Sequence, residues 1–279
     1  PTSTLCGLEI ALLDALGKHR ICRVCELLSP AHMHPRPAIA VNAVIGAGAT
    51  GVASEAAREA RRQGFGCVKL KVGLGESVQE EVQRVATVRE AIGPTMRLRL
   101  DANEAWGFEE AEAILSRCVP YAIQYVEQPL KADDLAGMRR LRQQVAIPIA
   151  ADEAVGDLAS ARHVLESEAA DILVIKLQQA GGPRAGQRMI QEAAQRGVRC
   201  VITSSLETGI GVTAALHLAA ASPAVTLECG LATLPMLADD LILDAPVLRD
   251  GVLAVPKDAG LGIAQDEEAL NIYCLRDIC

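Results

Sequence analysis

The chain has few aromatic residues: two Phe, three Tyr and one Trp in 279 positions. So few rings offer no stacking platform for bases, which argues against a single-stranded nucleic-acid binder. Basic clusters are absent and the net charge is -8, so neither nucleic acid nor an anionic membrane surface is expected as a partner. No apolar run is long enough to span a bilayer. No secretory leader is visible, although the chain starts at Pro1 rather than Met, which leaves room for a preceding segment. A disulfide framework is lacking as well. The nine cysteines are scattered through apolar segments and read as reduced, buried thiols of an intracellular protein. Cys22 and Cys25 form a lone C-x-x-C with no second pair at zinc spacing, and His32 and His34 read as solvated residues of a Pro-rich connection.

What is present is hydrophobic: 50% of the residues, enough for one large domain or slightly more. Apolar positions at Leu5, Leu8, Ile10, Leu12, Leu13 and Leu16 predict a helix from about Ser3 to Leu16, and a second short one follows near Val24 to Leu28. Pro30, Pro35 and Pro37 mark a connection, so residues 1–36 are set apart from a main domain at 37–230. From Ala38 an apolar strand alternates with an amphipathic helix. The candidate strands are Ile39–Ile45, Cys67–Val72, Arg97–Ala102, Ile123–Gln128, Pro148–Asp152, Asp171–Leu177, Arg199–Ser205 and Thr226–Cys229. The helices between them are Ser54–Gln63, Val78–Ile92, Phe108–Cys118, Leu135–Gln144, Leu158–Glu166, Pro183–Arg196 and Gly211–Ala220. This alternation predicts an α/β fold with a parallel barrel, closed because no strand reads as a polar edge. A doubly wound open sheet would want a Gly-rich phosphate turn with an acidic residue at the end of the second strand. Gly46, Gly48 and Gly51 have the G-x-G-x-x-G spacing, but no acidic residue ends the second strand, so they read as a turn. After Gly230 the rhythm stops. Residues 231–279 are expected to pack back on the barrel or the N-terminal helices, with a hairpin built from Asp239–Leu243 and a turn at Arg249–Val252.

In such a barrel the working residues stand at the C-terminal ends of strands. Strand side chains alternate faces, so Lys69 and Lys71 point the same way, and such a costly pair suggests a proton-transfer task. Three consecutive strands end in Asp101, Glu127 and Asp152, with Asn103 and Glu153 beside them. Converging acids would repel one another, and a hard divalent ion with oxygen ligands resolves this: Mg²⁺, or Mn²⁺ in its place. The sixth strand ends in Lys176, across the barrel from Lys71. The seventh runs into Ser204, Ser205 and Glu207, where hydroxyls and backbone N–H groups at a helix start suit a substrate carboxylate.

Lys69-Leu70-Lys71, Asp101-Ala102-Asn103, Val126-Glu127-Gln128-Pro129, Asp152-Glu153, and Ile175-Lys176 followed by Gly181-Gly182 together resemble the muconate-lactonising branch of the enolase superfamily. Within it, Trp106, the run from Ser204 to Gly211, and Gly230-Leu231-Ala232-Thr233 are similar to o-succinylbenzoate synthases. The resemblance implies a (β/α)7β TIM-like barrel with an α+β capping domain, of which residues 1–36 would be a helical remnant lacking the N-terminal strands and closing loop. Leu5, Leu8, Leu12 and Leu16 would then lose their usual cover. It further implies a Mg²⁺-dependent lyase that dehydrates 2-succinyl-6-hydroxy-2,4-cyclohexadiene-1-carboxylate to o-succinylbenzoate through an enediolate, in menaquinone or phylloquinone synthesis. The implied metal ligands are Asp101, Glu127 and Asp152. Lys71 would be base and then acid, Lys69 would keep it partly neutral, and Lys176 would supply a second positive charge. Asn103, Glu153, Ser204, Ser205 and Glu207 would orient ligands or bind a small carboxylate substrate. A cytoplasmic location is expected, or a plastid in a photosynthetic eukaryote; the oligomeric state is left open. N-acylamino acid racemases, dipeptide epimerases and muconate cycloisomerases share this frame. Two other classes stay open: a Schiff-base aldolase barrel using Lys71 or Lys176, and an inactive truncated barrel serving as a binding module.

Overall fold

A computed structural model describes residues 1–46 and 48–274. The parallel sheet is built from β2 (Ala43–Ile45), β3 (Cys67–Lys71), β4 (Arg97–Asp101), β5 (Ile123–Glu127), β6 (Ile149–Ala151), β7 (Ile172–Ile175) and β8 (Arg199–Ile202), paired in that order. Each strand is short and mostly buried, as a sheet covered by helices requires, although β3 and β4 carry charged residues on one face. The helices are α3 (Thr50–Arg62), α4 (Val78–Ile92), α5 (Phe108–Cys118), α6 (Leu135–Gln144), α7 (Leu158–Glu166), α9 (Pro183–Gln195) and α10 (Gly209–Ala221). They match the predicted helices closely. Ser77, Asp134 and Asp157 accept backbone N–H bonds at the starts of α4, α6 and α7, and Pro183 opens α9, so local capping chemistry sets these boundaries.

The sheet curls until its ends meet. Asn42 N–H donates to the Cys229 carbonyl at 3.0 Å, and Cys229 N–H donates to the Ala40 carbonyl at 2.9 Å. On the other side, Gly230 N–H donates to Ile202 at 2.9 Å and Ser204 N–H to Gly230 at 3.0 Å. The expected eighth strand at Thr226–Cys229 is thus reduced to isolated bridges at Cys229 and Gly230. There the Glu228 carbonyl accepts from the Arg99 guanidinium at 2.7 Å. The predicted strand Ile39–Ile45 is likewise divided. β1 (Ala38–Ala40) leaves the barrel to pair antiparallel with β10 (Val252–Ala254), and Val41 N–H follows it to the Gly251 carbonyl at 2.9 Å.

The C-terminal hairpin joins β9 (Leu248–Arg249) to β10 through Asp250 and Gly251, both at positive φ, where the sequence places its turn. Asp239–Leu243 is not part of it; Ile242 only bridges to Gln265. A helix that the sequence reading lacks, α8 (Leu177–Ala180), follows Lys176 directly. A last helix, α11 (Glu267–Tyr273), closes the described part of the tail.

The N-terminal helices α1 (Thr2–Arg20) and α2 (Val24–Leu28) pack on the outside, α1 mainly against α8 and α2 against α10. This explains why α10 is largely apolar and buried along all but its first turn. His217 on α10 ties three regions together. Its Nδ1 accepts the Cys25 N–H at 3.1 Å and its Nε2 lies 3.0 Å from the Leu261 carbonyl, which makes Nε2 the protonated nitrogen. On α1, Leu5, Leu8 and Leu12 are exposed. Cys6, Cys25, Cys67, Cys118, Cys200 and Cys229 are buried free thiols.

Candidate active site

Register brings the chemistry to one height. Lys71 is paired with Asp101, and Asp101 with Glu127; Glu127 faces Ala150, two residues before Asp152. Lys176 follows the last residue of β7, four staves from β3. Alternation turns Lys69, Lys71, Arg99, Asp101, Tyr125 and Glu127 inward together.

Deepest in this column lies Arg99, fully buried. It donates to Gln124 Oε1 at 2.7 Å, Asn42 Oδ1 at 3.1 Å and Glu228 Oε2 at 2.8 Å, and stacks 4.8 Å over Tyr125. Arg97 pairs with the same Glu228 carboxylate. The sequence reading assigned no role to Arg99 or Glu228. The signal was available in Arg97-Leu98-Arg99-Leu100-Asp101, whose charges share the face of Asp101.

Above it, Lys69 Nζ stands 2.9 Å from Asp101 Oδ2 and 2.7 Å from Glu127 Oε1. Burial alone would depress this ammonium, but Glu127 and Asp101 outweigh it and hold Lys69 above its ordinary value. Lys69 is therefore a cation compensated by two carboxylates. Lys71 Nζ meets the same Asp101 oxygen at 2.7 Å and Asn103 Oδ1 at 2.6 Å. Asp101 is buried, which favours its neutral form, but Lys69 and Lys71 prevail and lower it. Burial raises Glu127 well above the carboxylate range, against the pull of Lys69 and aided by Asp101 and Asp152.

Lys176 Nζ lies 2.6 Å from Asp152 Oδ2, while Asp152 Oδ1 is buried without a partner. The Asn103 amide is oriented by Glu153, whose Oε1 accepts from Nδ2 at 2.9 Å; burial raises the Glu153 carboxyl. Asn103 and Glu104 both sit at positive φ, which aims the Asn103 side chain back at Lys71. Gln128, also unassigned from sequence, accepts the Asp152 N–H at 3.0 Å and the Ala154 N–H at 3.2 Å, fixing the end of β6.

The loop after β8 is largely satisfied from within. Ser204 Oγ accepts the Leu206 N–H at 2.9 Å, Glu207 Oε2 the Ser205 N–H at 2.6 Å, and Asp240 Oδ1 the Gly209 N–H at 2.8 Å. Donors expected to grip a substrate carboxylate are thus turned onto the chain's own acceptors. Ser205 is exposed, and Glu207 is buried, its carboxyl raised by burial and its Oε1 without a partner.

Among the described residues, no three His, Cys, Asp or Glu side chains converge closely enough to hold a metal ion. Lys69 bridges Asp101 and Glu127, Lys176 pairs with Asp152, and these lysines supply the compensating charge. The donor set still suits a hard cation: three buried carboxylates on adjacent staves, all oxygen, one of them with an orphaned oxygen aimed at no partner.

The sequence is matched by a family model. Residues 51–269 fit the model described as enolase C-terminal domain-like. The chain belongs to that family. An o-succinylbenzoate synthase of Thermobifida fusca is 40% identical over 203 residues, 72% of this chain and 62% of that protein. The matched part thus spans under two thirds of that relative's length. A hydrophobic dipeptide epimerase of Enterococcus faecalis is 32% identical, covering 92% of this chain and 72% of its own. The crystal structure of a muconate lactonizing enzyme of Pseudomonas fluorescens, complexed with muconolactone, superposes with a TM-score of 0.90. It is 31% identical and covers 96% of this chain and 72% of its own. The enolase-family frame accounts for the curled sheet and its closure. No helix among the described residues is long and apolar enough to cross a membrane.

Proposed function

We propose that this enolase-family chain is a lyase of the o-succinylbenzoate synthase type, dehydrating 2-succinyl-6-hydroxy-2,4-cyclohexadiene-1-carboxylate in quinone biosynthesis in the cytoplasm. The observation that carries the reading is the set of two lysines, Lys71 and Lys176, on staves four apart, with three buried carboxylates between them. Asp101, Glu127 and Asp152 would hold Mg²⁺, or Mn²⁺. Bound there, the ion would supply positive charge to a substrate carboxylate as its α-carbon is deprotonated.

The chain's own residues do the proton work. Lys71 reaches the mouth, with its side chain 31% exposed, while that of Lys69 is 9% exposed and locked between carboxylates. Neutral Lys71 takes the α-proton; the electron pair left on carbon expels the neighbouring hydroxyl as the C–O bond breaks. The ammonium so formed returns its proton to the departing oxygen, which leaves as water, and one lysine on one face suffices. Asn103, aligned by Glu153, holds Lys71 in place. Lys176 contributes charge from the opposite face. Glu207, Ser204 and Ser205 would border the distal end of the substrate.

Incubating the chain with the cyclohexadiene substrate and Mg²⁺, then weighing the product, tests this: o-succinylbenzoate is expected, and none should form with excess chelator. A second reading, an N-acylamino acid racemase or dipeptide epimerase, is favoured by the presence of a lysine on each face. Deuterium incorporation into an N-acylamino acid or dipeptide without dehydration of the diene would select it.

A further inference from the structure

Arg84 and Glu81 lie three residues apart on α4, so they share one helix face. They are buried, 5% and 1% exposed respectively. Arg84 touches no carboxylate within hydrogen-bonding distance among the described residues; its three nitrogens all donate to backbone carbonyls. Nε reaches the Lys71 carbonyl at 3.3 Å, Nη2 that of Gly46 at 2.9 Å, and Nη1 that of Gly48. Glu81 works on the next loop: its Oε1 accepts the Leu74 N–H at 2.6 Å and also the Gly75 N–H. A guanidinium fork can hold several carbonyls at once, which a point-like ammonium cannot. All of these contacts fall at the ends of two adjacent staves, β2 and β3, next to the lysine pair. Burying a cation without an anion in contact is costly, so its place here calls for a reason.

We infer that Arg84 is a positioning residue: it fixes the Lys71 backbone to the loop after β2, while Glu81 secures the loop after β3, and together they set where the Lys71 amine meets substrate. The inference rests on the proton-transfer role of Lys71 given above. Neither side chain touches substrate.

The test uses Arg84→Ala in the full chain. Turnover should fall about 100-fold with KM changed less than about threefold, the signature of a misplaced reacting group rather than lost binding. Millimolar guanidinium should restore at least part of that turnover, as equimolar sodium chloride should not, because the ion can refill the vacated pocket. Amide exchange at Ala53 and Val72 should quicken while the strands β5 to β8 keep their protection. If Arg84→Ala does not fold, Arg84→Lys, which cannot span the three carbonyls, should show the same split in milder form. Wild-type turnover in either folded variant, or a loss that guanidinium leaves unchanged and that comes with exchange across the whole barrel, overturns the inference. Should the unaltered chain turn over none of the substrates, the reaction reading fails, and the exchange measurement alone decides whether Arg84 holds the loop.

Discussion

Lys69 and Lys71 end on the same oxygen of Asp101. What separates them is access: Lys71 faces the mouth, and Lys69 is enclosed. If dehydration is the reaction, Lys71 must give and take a proton while Lys176 need only be cationic. Lys71→Arg should then lose about 10²–10⁴-fold in turnover, and Lys176→Arg distinctly less. Steady-state rates on the diene decide this, and equal losses would count against the assignment. Glu127 bears a different test. Glu127→Gln keeps shape and removes charge from a site already crowded with acids, so the chain should stay folded. Millimolar Mg²⁺ should raise the melting temperature of the unaltered chain by mass action and leave that of Glu127→Gln where it is. A rise in both would place the ion elsewhere. These residues were legible because period-two alternation and strand-end position need no tertiary knowledge. Arg99 shares that alternation with Asp101, but its partners Asn42 and Glu228 were not legible, since they lie on other staves, 57 and 129 residues away in the chain.

Most helices of the barrel were readable to within two residues, because capping groups and amphipathic period are both written locally; α3, which has no side-chain cap, starts four residues before the predicted Ser54. Strand ends were harder. Ile39–Ile45 is apolar but for Asn42, and that one polar residue between β1 and β2 does not by itself signal that they belong to different sheets. The tail gave only its turn, since the pairing partner of β10 lies more than 200 positions away. One element-level feature has a direct test. Gly73, just past β3, sits at φ +81°, and a Cβ there would stand 2.3 Å from the Ala105 Cβ. The two loops beside Lys71 and Asp101 therefore meet only because a side chain is absent. Gly73→Ala should cost about 1–3 kcal/mol in urea unfolding through strain and contact together. A variant as stable as the original would mean that Ala105 and its loop yield freely.

At the scale of the molecule, both chain segments outside the barrel are fastened through His217. Burial lowers its pKa from 6.5 to about 4. The unfolded chain therefore binds the extra proton at higher pH than the folded one. Stability is retained above pH 6.5 and falls as pH drops from there through about 4, with about 3 kcal/mol lost at the lower end. Comparing melting at pH 7 and 4.5 checks this: His217→Gln should be less stable at neutral pH but should lose less on acidification. An equal acid loss in both would remove His217 from the account.

The seam at Cys229 and Gly230 has a consequence for how the molecule is made. Every other stave meets the one that follows it in sequence, whereas here Asn42 must find Cys229. Closing so long a loop costs more entropy than any neighbouring step, and it can be repaid only once the rest of the ring has formed. During synthesis the growing chain would already carry Lys69, Lys71, Asp101, Glu127, Asp152 and Lys176 while the Ala40 carbonyl and the Asn42 N–H still faced water. The ring thus shuts last, at its thinnest stave, after all the groups assigned to proton transfer and ion binding have left the ribosome.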